Sequence, residues 1–120
     1  MAFEFSNYAV KLTRVASGDL SGSQYRFVKL GTTDTVVACA AATDIPIGIL
    51  QNAPTAGQEA EILIIGGSKL VAGEAMAIGG AVGIVANGRG AAANITDEYT
   101  LGTTLSTAST AGDIITVVIN

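Results

Sequence analysis

Histidine and tryptophan are absent from this 120-residue chain, and cysteine occurs once. Without histidine, the chain lacks the commonest general base and the commonest nitrogen ligand for metals. The single cysteine excludes an intrachain disulfide, and Cys39 stands in an apolar run where a free thiol is usually a buried hydrophobe. We therefore expect no catalytic residue, no cofactor and no metal site, and we predict that the protein is not an enzyme.

Charged residues are also scarce, since they make up only 13% of the chain, about half the usual share. The net charge is −4, and the six basic residues form no run along the sequence. Contacts with nucleic-acid phosphates or anionic lipids need clustered Lys and Arg, so neither nucleic acid nor membrane is an expected partner. So little charge favours a protein that covers much of its surface with protein, and it predicts a homo-oligomer.

What the chain does contain is an internal similarity. Gly18-Asp19 aligns with Gly73-Glu74, and at the same spacing Thr32-Thr33-Asp34 aligns with Asn87-Gly88-Arg89. Glycines and turn residues account for most of these matches, and few matched residues are chemically reactive. The repeated unit is therefore a supersecondary structure rather than a catalytic motif.

Each half also closes on a similar ending, over residues 47–66 and 101–120. Together with the aligned turns, these endings predict one β domain over residues 14–120. It consists of two like halves, at about residues 15–67 and 70–120.

Alternating apolar residues predict short strands, and no helical period is sustained. Tyr25–Leu30 and Thr35–Ala40 are expected to form a hairpin, and Asn87-Gly88 is the strongest hairpin turn because both residues tolerate positive φ. Gly66-Gly67 is expected to end the strand before it. The predicted fold class is all-β, a small barrel or sandwich of two similar halves with an N-terminal arm. A closed barrel would hide the strand edges of so apolar a chain.

Residues 1–13 lie outside the similarity and are predicted to form an arm or a first strand. The segment holds three of the six Phe and Tyr residues. Whether it docks on a partner, on a neighbouring subunit or on its own core stays open. The candidate contact residues, in the arm and in the first half, are all aromatic: Phe3, Phe5, Tyr8, Tyr25 and Phe27.

Lys69 supports an alternative function. Biotinyl and lipoyl carrier domains are small β structures of two similar halves, with a modified lysine on a hairpin tip. Lys69 lies at the junction of the halves, but the Met or Asp neighbours expected beside a modified lysine are missing. A small β carrier or a carbohydrate-binding module is thus the alternative, although the absence of Trp counts against a sugar platform.

Residues 45–66 and 101–120 resemble the small capsid decoration, or cement, proteins of tailed bacteriophages. The family pattern consists of turn residues and apolar positions, and the resemblance covers about residues 15–120. The matching residues are Pro46, Gly48, Leu50, Gln51, Pro54, Gly57, Ala72-Gly73-Glu74-Ala75, Gly79, Gly88-Arg89 and Ala111-Gly112-Asp113.

The resemblance implies a structural virion protein that acts by binding, without turnover. Such a protein decorates the capsid exterior after assembly in the host cytoplasm, and stabilises the shell by bridging major capsid proteins. Trimers are common among related proteins, so the resemblance implies a homotrimer as the oligomer.

Overall fold

The computed structural model describes residues 9–93 and 100–120, which form nine strands, one 3₁₀ turn at Ala86–Gly88 and no α-helix. The all-β prediction is confirmed. No helix within these ranges is long and apolar enough to cross a membrane. The strands are β1 (Val10–Ala16), β2 (Phe27–Leu30), β3 (Thr35–Ala38), β4 (Gly48–Leu50), β5 (Glu59–Val71), β6 (Ala81–Val85), β7 (Arg89–Ala92), β8 (Gly102–Thr104) and β9 (Ile114–Ile119).

Five strands close into a barrel, which we call the first barrel. Its order is β1-β3-β2-β4-β5, and β5 returns to pair with β1. All pairs are antiparallel except β1–β3. The predicted β2–β3 hairpin is present, and closure pairs each strand of this barrel on both sides, which removes the edges where another chain would add.

The remaining four strands join β5 in a second sheet, in the order β5-β9-β8-β6-β7. A single parallel bridge between Ala72 and Gly90 joins the end of β5 to β7. This bridge stands where the parallel β1–β3 pair stands in the first barrel. The two groups of five strands therefore share one connection order, and β5 belongs to both.

Backbone hydrogen bonds that occur in both groups of strands show which residues are equivalent. The Leu20 N–H donates to the Pro54 carbonyl in the first barrel, and the Met76 N–H donates to the Ala108 carbonyl in the second sheet. Leu20 therefore corresponds to Met76, and Gly18 corresponds to Glu74. The sequence alignment of Gly18 with Gly73 was wrong by one residue, because the loop lengths of the two groups differ.

Both hairpin turns have two successive residues with positive φ. The values are 57° and 61° at Thr33 and Asp34, and 65° and 72° at Asn87 and Gly88. The turn predicted at Asn87-Gly88 is confirmed. Positive φ at both central positions suits the twist of a hairpin, and it pairs Thr33-Asp34 with Asn87-Gly88, again one residue from the sequence alignment.

The strand break predicted at Gly66-Gly67 is wrong, because β5 continues through both glycines to Val71. Gly66 has φ 133°, in the region that favours glycine. At this residue β5 passes from pairing with β1 to pairing with β9. The first strand, β1, begins at Val10 and runs to Ala16, so it includes the last residues of the predicted arm or first strand.

Two apolar cores lie within the described ranges. The larger one joins the two groups of strands, and the smaller one belongs to the first barrel. The larger core contains Phe27, Cys39, Ile49, Leu63, Leu70, Ala72, Met76, Val82, Ala108, Ile115, Val117 and Ile119. Since β2, β4 and β5 contribute to the same core as β6 and β9, the two groups form one packed unit.

Candidate contact surface

Tyr25 lies at the junction of the two groups, where the chain enters β2 with φ 62°. The Val71 N–H donates a 2.8 Å hydrogen bond to the Tyr25 carbonyl, which ties this residue to β5. The Lys69 Nζ atom, also on β5, lies 5.3 Å from the centre of the Tyr25 ring. That distance is within the range of a cation–π contact, so ring and ammonium are held together.

Two arginines reach the turn between β6 and β7 beside this pair. Arg26 Nη1 donates to the Asn87 carbonyl at 3.5 Å, and Arg89 Nε donates to the Ala86 carbonyl at 3.2 Å. The Asn87 N–H donates to the Ala40 carbonyl at 3.0 Å, which anchors the turn on the first barrel. We call Tyr25, Arg26, Lys69 and Arg89 together the Tyr25 surface.

The basic residues of the Tyr25 surface are not neutralised within the described chain. The two salt bridges found there join Lys11 to Glu61 and Lys29 to Asp44, each at 2.8 Å. Arg26 Nε is buried and has no hydrogen-bond partner among the described residues. All four side chains are half-buried, so they are partly fixed in position while still reaching the surface.

Sequence reasoning missed this cluster because its members come from distant parts of the chain. The basic residues are dispersed along the sequence, and this dispersal was the reason to expect no basic patch. Residues 26, 69 and 89 come near one another only because the entry to β2, the C-terminal end of β5 and the start of β7 lie together. No sequence motif signals that meeting.

The five aromatic candidates have different outcomes. Phe3, Phe5 and Tyr8 lie outside the described residues, so their contacts stay predictions. Tyr25 is half-buried and takes part in the surface defined above. Phe27 is only 1% exposed and packs in the larger core, which corrects its assignment as a contact residue. The alternation expected from Tyr25 fails because Tyr25 has a left-handed backbone and β2 begins at Phe27.

Large apolar side chains are exposed at several places on the described surface. One of them, Ile114, is 48% exposed and pairs with Val71, next to the Tyr25 surface. Scattered exposed apolar side chains are normal, so position matters more than number here. The exposed residues are Val10, Val15, Leu30, Ile45, Ile65, Ile78, Leu105 and Ile114.

A groove of about 280 Å³ lies where β4 and the end of β9 meet β5. It falls at the lower limit of the roughly 300–1,000 Å³ typical of ligand pockets, and it offers an apolar lining with no cluster of polar side chains. Its apolar walls are Pro46, Ile47, Ile64, Ile65, Leu101 and Ile119.

Lys69 does not have the geometry of a carrier lysine. It lies inside β5, paired with Thr116 of β9, and not on a hairpin tip. Its Nζ atom faces the Tyr25 ring. A carrier domain presents its lysine at an exposed turn to reach a modifying enzyme, so the geometry contradicts this part of the alternative.

Burial at Cys39 and hydrogen bonding at Asp44 explain the two large pKa shifts in the described chain. Burial raises the pKa of the Cys39 thiol to about 11, which keeps it protonated and unreactive at neutral pH. The Lys29 ammonium, followed by the Ala41 and Ala40 N–H groups, lowers the pKa of Asp44 to about 2. Within residues 9–93 and 100–120, no three His, Cys, Asp or Glu side chains group to hold a metal ion.

The fold is similar to a solved structure of a phage protein, the N base of head fiber gp8.5 in bacteriophage phi29. The TM-score is 0.73 and the sequence identity is 18%, over 93% of this chain and 94% of that chain. At this identity the likeness concerns the fold, and it extends over nearly the whole of both chains. No protein-family model and no curated protein matches the sequence.

Proposed function

We propose that the chain is a structural protein of a tailed-phage virion that decorates the outside of the capsid. In this proposal it stabilises the shell by bridging neighbouring major capsid proteins. The observation that carries the proposal is the fold shared with a phage head fiber base over nearly the full length. The turn-residue resemblance to capsid decoration proteins supports the same placement, although it was drawn from sequence alone.

The proposed mechanism is binding without turnover. Many copies on a symmetric shell each make modest contacts, and the sum is large because bound neighbours hold one another in place. The partner is the major capsid protein, with a homotrimer of this chain as the bound form. The proposal includes no enzymatic activity, nucleic-acid partner or membrane partner.

The test uses purified heads that lack the protein. The full chain is mixed with these heads, and unbound protein is removed by sedimentation. We expect the chain to sediment with the heads and to raise the temperature at which they release DNA. A chain that stays in the supernatant and leaves that temperature unchanged would refute the proposal. Light scattering on the unbound protein tests the trimer separately.

An attachment base for a projecting fiber is the second candidate, favoured by the similarity of the fold to a head fiber base. Both candidates place the chain on the capsid exterior, so sedimentation cannot separate them. Cryo-electron microscopy of decorated heads can. Density of barrel size between capsid subunits supports decoration, and density that continues outward as a fiber supports the base.

A further inference from the structure

We propose that the Tyr25 surface is the binding site for a carboxylate-bearing segment of the capsid partner. The inference rests on the proposed function, because it assigns a specific contact to that partner. Its starting point is the meeting of Tyr25, Arg26, Lys69 and Arg89 around the β6–β7 turn. The contacts found for these side chains are one hydrogen bond from each arginine to the turn and the cation–π contact of Lys69. None of these contacts neutralises the three positive charges with an acidic residue of the described chain.

The charge distribution singles out this surface. Among the described basic residues, Lys11 and Lys29 have salt-bridge partners. Arg14 lies elsewhere, on β1, where it donates to the Thr13 carbonyl. None of the described acidic residues forms a salt bridge with Arg26, Lys69 or Arg89. A chain of net charge −4 thus has a local excess of positive charge at one place.

The arginines also retain hydrogen-bonding capacity. A guanidinium has five N–H donors in a planar fork, and each of Arg26 and Arg89 uses one of them in a hydrogen bond. Carboxylates accept two parallel hydrogen bonds from such a fork, and these bonds are stronger than neutral ones. A carboxylate of the partner therefore satisfies donors that the described chain leaves unused.

Aromatic and apolar residues lie on the β5 side of the basic groups. The Tyr25 ring lies beside Lys69, and Val71 continues β5 next to it, opposite the exposed Ile114. Tyr and Arg are enriched among the residues that dominate binding energy at protein interfaces. Because the four side chains are already half-buried, ordering them on binding costs little entropy.

The same features favour a protein carboxylate over a nucleic-acid phosphate. Three basic residues neutralise few phosphates, and the negative net charge of the chain repels a polyanion. The neighbouring Ile114 and Val71 offer apolar contacts that a peptide can use. An acidic protein segment with apolar side chains is the partner chemistry that matches both parts of the surface.

The test is binding to heads by a double variant, Lys69→Gln with Arg89→Gln. The matched control is the double variant Lys11→Gln with Arg14→Gln, which removes the same charge from β1. We expect the first variant to bind at least tenfold more weakly and to depend less on salt concentration than the wild type. The control should bind within about twofold of the wild type, and thermal melts should show that both fold.

Each other outcome is decisive. If the Lys69 and Arg89 variant binds heads as tightly as the wild type, the Tyr25 surface is not the binding site, and the proposed function still stands. A wild-type chain that does not bind heads overturns both. Competition arms identify the ligand, since a Glu-rich peptide should displace the wild type from heads. Displacement by duplex DNA and not by the peptide would overturn the carboxylate assignment.

Discussion

The first barrel and the second sheet can be compared residue by residue, because equivalent backbone hydrogen bonds occur in both. The Tyr25 N–H donates to the Leu50 carbonyl, and the Gly79 N–H donates to the Thr104 carbonyl. Both donors have positive φ, 62° at Tyr25 and 78° at Gly79. Glycine adopts this conformation without strain, whereas tyrosine does so at a cost. A strained tyrosine at a position where glycine suffices points to a use for its side chain.

The same comparison shows what the second sheet has lost. Val36 in the first barrel corresponds to Gly90, since the Ser17 N–H donates to the Val36 carbonyl and the Gly73 N–H donates to the Gly90 carbonyl. A Cβ atom at Gly90 would collide with Leu70 in the larger core. Small residues thus let the backbone of β7 lie close to the end of β5. Only one bridge, between Ala72 and Gly90, pairs the two described segments. The first barrel closes with larger side chains, and the second sheet closes with close backbone approach.

The largest effect is expected at the equivalent glycines Gly48 and Gly102. A Cβ atom at Gly48 would collide with the Leu63 carbonyl, and one at Gly102 with the Val118 carbonyl. Gly48→Ala and Gly102→Ala should each lower the free energy of unfolding by about 3 kcal/mol, because the neighbouring strand must move. Urea denaturation monitored by circular dichroism measures both.

The matched control is Gly18→Ala. Gly18 has no described atom within 4 Å of an added Cβ and no positive φ, so its substitution should change stability by less than about 0.5 kcal/mol. If only one of Gly48→Ala and Gly102→Ala destabilises the protein, the two positions are not equivalent, and the comparison between the groups breaks at β4 and β8.

The next effect comes from exchanging the two hairpin turns. Asn87→Thr with Gly88→Asp should destabilise the protein by about 2 kcal/mol, since a Cβ at residue 88 would lie 2.6 Å from the Phe27 carbonyl oxygen. Thr33→Asn with Asp34→Gly should instead stabilise it by about 1 kcal/mol, because these residues adopt positive φ more readily. Thermal denaturation compares the two variants.

This exchange sharpens the comparison, because the turns share a backbone and differ in surroundings. The first turn is exposed, and the second packs on the first barrel. Equal and opposite changes in stability would mean that φ alone governs both turns. The anchoring role assigned to Asn87 and Gly88 would then be wrong.

A smaller effect on stability is expected from Tyr25→Gly, which makes the first barrel resemble the second sheet. Relief of the positive φ offsets the lost contact with Lys69, so the free energy of unfolding should change by less than about 1 kcal/mol. Binding to heads should fall about tenfold if the Tyr25 surface is used. Gly79→Tyr is the reciprocal variant, because an added Cβ there meets nothing within 4 Å. It should leave binding unchanged, and equal binding by all three proteins would show that the Tyr25 side chain has no such use.

Local patterns predicted much of the fold, and non-local contacts explain most of the errors. The β2–β3 hairpin and the turn at Asn87-Gly88 follow from alternation and from the φ preferences of two residues. The continuation of β5 through Gly66 does not. Two adjacent glycines are usually a break, and here Gly66 bends one strand between two sheets. The continuation of β5 past Gly66 depends on pairing with β9, which is distant in sequence.

The Tyr25 surface shows the same limit for the candidate site. Tyr25 could be singled out as an aromatic residue in the first half, but Lys69 and Arg89 gain their meaning only from the strand order. Alternation over Tyr25–Leu30 also failed for a local reason, since Tyr25 has a left-handed backbone and the adjacent Phe27 and Val28 are both buried. A sequence pattern predicts which residues of a strand share a face. It does not show where a residue with positive φ interrupts that alternation.

The smallest effect concerns an ion pair that only the first barrel has. Lys29 bonds to Asp44 at 2.8 Å, and the position that corresponds to Lys29 in the second sheet is Gly83. Because the pKa of Asp44 is lowered to about 2 in the folded protein, its contribution to stability is fully present above about pH 4. The contribution is lost as the pH falls through 4 toward 2.

We therefore expect the stability difference between wild type and Asp44→Asn to shrink over that range in urea denaturation at several pH values. Lys29→Gln is the control, because removing the ammonium moves the loss to higher pH. A difference that stays constant from pH 6 to pH 2 would mean that folding does not lower the pKa of Asp44, and that the charge of its carboxylate adds nothing to stability. The first barrel would then differ from the second sheet in its loop conformation and not in its charge.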